Sequence, residues 1–482
     1  MRFLIVARLG NVFELHHLSA QEQWDWLHRG EITPLELVEH YLARIERLNP
    51  NLGAFTTVTA DAARERARKL DTLVPRTAAL WGLASGDKDL VRRAGVRTTF
   101  GSRLLADFVP EASDELVEVL DAAGAISLGK TNAPEFGLPS YTESLVAPPA
   151  RNPWRPSLGA GGSSGGAAVA VSAGLLPVAT GSDGGGSIRI PAAATGLVGV
   201  KPGRGVVPSG SGLTSLAGLV TTGPLARSVA DAAMVLDAMI AGSDYRFSVR
   251  SPGWDGGALL GPATRGEGRF QLGVMTTSPW DGDYDIRIAP EATAALELAV
   301  AELSAIGHGM EEISLEPDDS YAPAFRTIWQ AGAAGLPADG AELELLEPLT
   351  RWLVERGREL GAREVGAALA RLTAYERSIN RQFASFDAIL TPAMAQTPRP
   401  VGWYSNDDPE ENFAQQVRYT PFTSFVNVTG LPAITLPIYQ SDDGLPMGVQ
   451  LIGRPGGEST LFSIGAQLER RIPWQRRHPD CW

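Results

Sequence analysis

The stretch GGSSGGAAVAVSAGLLPVATGSDGGGSIRIPAAATGLVGVKP, residues 161–202, decides how this chain is read. It opens on glycines around paired serines, runs through small apolar residues, and arrives at a second glycine and serine cluster, Gly184 to Ser187. Short apolar runs broken by glycine read as strand, glycine turn and strand of an α/β layer structure with a largely buried sheet. The glycines also pose a chemical question. They either cradle a phosphate or bring a serine hydroxyl to a reacting group.

The phosphate reading fails on spacing. A P-loop needs a lysine directly after its last glycine, and none follows the glycines of 161–166, while Gly129-Lys130-Thr131 lacks the upstream glycine. A dinucleotide fingerprint beginning at Gly159 and Gly161 finds Ser164 where its third glycine belongs. The serine reading fares better. Consecutive Gly184, Gly185 and Gly186 leave their N–H groups unobstructed, so these can converge on a developing oxyanion beside Ser187 as nucleophile.

A nucleophilic serine needs a base. The six histidines, at 16, 17, 28, 40, 308 and 478, lie outside the glycine-rich region, and the Gly-x-Ser-x-Gly elbow is missing. His28 and His40 sit in amphipathic segments and read as surface or packing residues. Lysine is the other candidate. Of 42 basic residues only Lys69, Lys88, Lys130 and Lys201 are lysine, the one basic side chain of the two that can lose its proton near neutrality. Lys88, in GLASGDKDLV (82–91), can serve if its pKa falls from ~10.4 toward neutrality. A buried salt bridge is the structural alternative for Lys88, as tight turns and close backbone approach are for the glycines. Ser85 and Lys88 also match a penicillin-recognising Ser-x-x-Lys, whose partner motifs are absent.

Composition bounds the rest. A 482-residue chain with 44% hydrophobic and 20% charged residues folds autonomously. A net charge of −13 and a scattered arginine distribution argue against a nucleic-acid partner. The longest apolar run, 166–181, contains Ser172 and Pro177 and is too short to span a bilayer. Cys481 is the one cysteine, so neither an internal disulfide nor a cysteine zinc cluster is expected, in keeping with a cytoplasmic setting.

Along the chain, Ser19 with Glu22 is a capping box and Thr33-Pro34 a helix start, predicting helices over 19–29, 34–48 and 60–72. Residues 1–10 read as a first strand or extended arm. ELVEVLDAAGAISLGKTN reads as helix, glycine stop and buried strand. Residues 242–285 look loop-heavy, 290–305 and 338–382 helical, 387–393 a strand, 396–412 turn-rich, and 433–453 a hairpin turning at Asp443-Gly444.

Together these blocks resemble the amidase signature family. The likeness rests on residues 161–202, on Ser163 and Ser187 standing 24 positions apart, on GDKDL, on GKTNAPEFG (129–137), on ARNPW (150–154) and on LPAITLP with DGLPMGVQLIG (431–453). GDKDL, ARNPW and the C-terminal PWQRRHP look most like aryl-acylamidases and nylon-oligomer hydrolases, of the 6-aminohexanoate cyclic dimer type. The resemblance implies one large α/β domain over 1–482, with a central twisted mixed sheet flanked by helices. Residues 70–235 would form the catalytic core, 240–420 a variable substrate-specificity region, and 421–482 the strands and helix that complete the core.

It further implies a Ser-Ser-Lys triad. Ser187 would be the acylated nucleophile, Ser163 the bridging serine on a cis peptide after Gly162, and Lys88 the neutral base. The N–H groups around Gly184, Gly185, Gly186 and Ser187 would hold the oxyanion. Asp183 and Arg189 would brace the loop, with Lys130 and Lys201 structural. No metal or cofactor is expected. Lys88-Asp89-Leu90 replaces the usual Lys-Asp-Asn, and Gly184 replaces the usual threonine after the aspartate, which bears on substrate preference. Trp280, Phe325, Trp329, Trp403 and Tyr404 are candidates for either pocket or core.

The expected activity is hydrolysis of carboxylic amide C–N bonds in a small-molecule aryl amide or oligoamide, with carbamate and ester cleavage as variants. The same motifs suit an amidotransferase subunit that releases ammonia from glutamine, or an inactive scaffold on the same fold. A homodimer is compatible with the sequence.

Overall fold

The computed structural model describes residues 14–207, 215–241 and 258–482. Its strands are β1 (Phe55–Val58), β2 (Ala84–Lys88), β3 (Ile126–Thr131), β4 (Val178–Asp183), β5 (Val198–Lys201), β6 (Thr221–Ala226), β7 (Gln271–Met275), β8 (Gly309–Ile313), β9 (Ala388–Pro392), β10 (Ala433–Gln440) and β11 (Pro446–Gly453). Eight of them form a sheet in the order β4-β6-β5-β10-β11-β9-β7-β8, antiparallel up to β9 and parallel from β9 through β8. β1, β3 and β2 make a small second sheet, in which β2 runs parallel to β3. This is a single α/β domain, a large mixed sheet flanked by helices.

The predicted helix starts appear where their chemistry is strongest. Ser19 accepts from the Glu22 N–H at 3.1 Å while its own N–H reaches the Glu22 carboxylate at 2.7 Å, opening the helix Ala20–Arg29. Thr33 and Glu36 repeat that exchange ahead of Pro34–Leu52, and Ala60–Leu73 follows. The 433–453 hairpin turns through Ser441–Leu445, as Asp443-Gly444 predicted.

Where periodicity is short, the reading differs. Between β4 and β5 the chain inserts a helix, Arg189–Thr195, rather than a turn alone. Ala192 to Ala194 are strong helix formers, but seven buried residues carry too little period to separate helix from strand. Tyr321–Ala333 is a further helix between the two predicted stretches, and Pro409–Tyr419 begins inside the turn-rich region, capped by Asp408. The described part of 242–285 holds the helix Leu260–Arg265 and β7. The predicted N-terminal strand or arm lies outside the described residues.

The opening stretch becomes a buried helix, Gly165–Ser172, of small side chains. A Cβ on Gly166 would come within 2.2 Å of the Asn132 nitrogen and 2.5 Å of the Ala54 carbonyl oxygen. Glycine there lets the helix start against the end of β3, which brings Ser163 toward β2.

Candidate active site

Lys88 ends β2 and is buried to 1% exposure. Its Nζ lies 2.8 Å from Ser163 Oγ, 3.0 Å from Ser182 Oγ and 3.3 Å from the Ser182 carbonyl oxygen. A neutral amine has two N–H donors and one lone pair, which matches these contacts if the Ser163 hydroxyl donates to nitrogen. Burial drives the Lys88 pKa down to about 7, against the opposing pull of the Asp183 charge. Lys88 forms no ion pair among the described residues, so the salt-bridge alternative does not hold.

The Gly162-Ser163 peptide is cis. A Cβ on Gly162 would stand 2.6 Å from the Tyr141 carbonyl group, so only glycine fits where the chain turns under that loop. Ser187 follows β4 across the glycine loop and is 8% exposed. The Ser164 N–H donates to the Ser187 carbonyl at 3.1 Å, which ties the two serine loops together.

Asp183, at the end of β4, organises the glycine loop. Its carboxylate accepts from Gly186 N–H at 2.7 Å and Ile188 N–H at 3.1 Å, and takes Arg189 in a two-point contact at 2.9 and 3.0 Å. Both members of the pair are wholly buried. Burial alone would raise the Asp183 pKa, but Arg189, helped by Lys201 and Asn427, outweighs it and holds the carboxyl well below the usual range. Because Gly186 N–H is committed to Asp183, the predicted oxyanion donors narrow. The N–H groups of Gly184, Gly185 and Ser187 remain without a partner among the described residues.

No histidine hydrogen-bonds to these serines among the described residues: His28 reaches the Trp24 carbonyl and His308 reaches Gln467. Lys130 donates to the Val91 carbonyl and Lys201 to the Pro202 carbonyl at 3.0 Å, as structural lysines do. Arrangements of this kind suit acyl transfer, with a buried amine in contact with a serine hydroxyl and a second serine beside free backbone donors.

The family model for amidases matches residues 36–462. The chain belongs to the amidase family. It is an enzyme of amide C–N bond hydrolysis. A putative amidase, AmiB2, of Mycobacterium bovis is 36% identical, covering 97% of this chain and 99% of that protein. One component of the glutamyl-tRNA(Gln) amidotransferase of Roseiflexus sp. is likewise 36% identical over 97% of this chain and 99% of its own. The structure of 6-aminohexanoate cyclic dimer hydrolase complexed with substrate superposes with a TM-score of 0.88 at 30% identity, covering 97% of this chain and 99% of that one.

Several residues of this amidase site carry no local sequence signal. Ser182 supplies two of the three Lys88 contacts. Thr423 donates to the Gly185 carbonyl at 2.6 Å, and Asn427 donates to both the carbonyl and the carboxylate of Asp183, at 2.8 and 2.9 Å. Gln450 accepts from Arg189 at 2.6 Å. These three come from the C-terminal third, where nothing but folding links them to residue 183. Of the aromatic candidates, Trp280 and Tyr404 are core residues, the latter stacked on Tyr141 at 4.0 Å. Phe325 and Trp329 face the glycine loop: a Cβ on Gly184 would meet the Trp329 ring at 3.5 Å, and one on Gly185 the Phe325 ring at 3.9 Å.

Among the described residues no helix is long and apolar enough to cross a membrane.

Proposed function

We propose that this amidase cleaves small-molecule carboxylic amides, aryl or oligomeric, through an acyl-enzyme on Ser187. The contact of 2.8 Å between a buried Lys88 and Ser163 Oγ carries the reading, because it gives an uncharged amine a hydroxyl to deprotonate. Ser187 Oγ attacks the carbonyl carbon as its proton moves to Ser163 and the Ser163 proton to Lys88. The oxyanion is held by the N–H groups of Gly184, Gly185 and Ser187, each well-placed donor contributing ~3–4 kcal/mol. Protonated Lys88 returns the proton through Ser163 to the leaving nitrogen, and water then releases the acid.

Carbamates and esters present the same carbonyl to the same nucleophile. The stacked Phe325 and Trp329, 5.6 Å apart beside the glycine loop, support a flat apolar substrate and favour selectivity arising within 240–420. We assign the enzyme to the cytoplasm. Purified enzyme assayed on anilides, aliphatic amides, carbamates, esters and glutamine tests the substrate class. Loss of anilide hydrolysis in Ser187→Ala is the expected result, and full activity in that variant refutes the nucleophile assignment.

The 36% identity to an amidotransferase component favours a second reading, release of ammonia from glutamine. A lone chain that hydrolyses glutamine faster than every other amide in the panel would establish it.

A further inference from the structure

Four of the six histidines gather at one corner of the fold, far from the role sought for them in catalysis. His16 and His17 lie in a 3-10 turn, Leu15–His17, that packs on His40 of the helix Pro34–Leu52. Trp482 closes the corner, stacking on His478 at 4.1 Å and meeting the His16 ring edgewise at 5.0 Å.

Within this corner three electron-rich atoms converge. His16 Nδ1 is 3.1 Å from His40 Nε2 and 3.2 Å from Glu14 Oε2, and the ligand atoms of all three residues lie within 4.8 Å of one another. Hydrogen bonding satisfies this arrangement poorly. If Nδ1 carries the proton and donates to Glu14, it has no lone pair for His40; if it accepts from His40, it faces the carboxylate lone pair to lone pair. Arg44 is occupied, donating to the Gly174 and Ala173 carbonyls at 2.7 and 3.0 Å and lying 3.5 Å from Glu14 Oε2.

We propose that Glu14, His16 and His40 bind a divalent transition metal of the imidazole-preferring class, zinc, nickel or copper. Tetrahedral zinc with ligand distances of about 2.0–2.1 Å sets its ligand atoms roughly 3.3 Å apart, close to two of the three spacings here, 3.1 and 3.2 Å, and the third, His40 to Glu14, lies within 4.8 Å. Two neutral imidazoles and one carboxylate leave a fourth position for water. With Nδ1 on the metal, His16 keeps its proton on the buried Nε2, which has no hydrogen-bond partner among the described residues. Glu14 is half exposed, so its carboxylate is free to adjust. Arg44 and Arg227, the latter over the Trp482 ring at 4.6 Å, oppose any cation here, so affinity rests on the two imidazoles and the carboxylate.

The metal is a structural clip. A Cβ on Gly174 would touch His16 at 3.0 Å, so the site lies at the far end of the helix Gly165–Ser172 from Ser163, about 12 Å along its axis. It joins the turn Leu15–His17, the helix Pro34–Leu52 and Trp482.

Zinc and cobalt titrated into the tag-free, full-length enzyme test the assignment by equilibrium dialysis and by the visible absorption of bound cobalt. One equivalent per chain is expected, with His40→Gln and Glu14→Gln each weakening binding by about tenfold or more. Anilide hydrolysis should stay unchanged in both variants, which serves as the folding control. No stoichiometric uptake by the parent enzyme overturns the proposal, as does equal uptake by the doubly substituted chain.

Discussion

The pH response of Lys88 offers the sharpest test of this site. Its Nζ is buried with only hydroxyl and carbonyl partners, and its pKa falls from 10.5 to about 7. If the neutral amine is the base, kcat/KM for a neutral anilide should rise with pH through about 7 and then level off. With that midpoint the reactive fraction grows about tenfold between pH 6 and pH 8. The same shift acts on stability. Between about pH 7 and 10.5 the unfolded chain carries a proton on this lysine that the folded chain does not, so stability rises with pH across that window. The cost of burying the amine is full below pH 7 and is relieved as pH rises, by something on the order of 5 kcal/mol over the full interval. Lys201, also lowered to about 7 by burial and by Arg189, adds a contribution of the same sign. Comparing Lys88→Met with the parent isolates the Lys88 share. Urea unfolding at pH 7 and pH 9.5 should therefore show a clearly smaller gain with pH in Lys88→Met. A kcat/KM profile that is flat from pH 5.5 to 8.5, or Lys88→Arg retaining parental activity, refutes the neutral-base reasoning, because arginine stays charged.

Other consequences concern the glycine loop before Ser187. Asp183→Asn leaves Arg189 buried without its carboxylate, so chemical denaturation should report a loss of about 3–5 kcal/mol, with kcat falling as the glycine loop loosens. Thr423→Val removes the donor to the Gly185 carbonyl and should lower kcat more than it raises KM, while costing only about 1 kcal/mol of stability. Gly166→Ala drives a methyl group into the Asn132 nitrogen and the Ala54 carbonyl, so stability should fall by roughly 1–3 kcal/mol and the melting temperature by about 1–3 °C. A melting temperature equal to the parent's would show that this helix does not approach β3 so closely.

Much of this enzyme was legible in the sequence, for a local reason. Capping boxes at Ser19 and Thr33, the turn at Asp443-Gly444 and the glycine–serine clusters act through neighbours within a few residues, so their meaning survives without a fold. The serines 24 apart and the rarity of lysine were likewise open to inspection. What only the tertiary structure decided is everything that crosses the chain. Ser182 gained its role when β4 came to lie beside the end of β2, and Thr423, Asn427 and Gln450 gained theirs when β11 and the helix before β10 packed against residue 183. The proton state of Lys88 belongs to the same class. A lysine in solution holds its proton to pH 10.5, and only exclusion of water by a folded core brings it near neutrality.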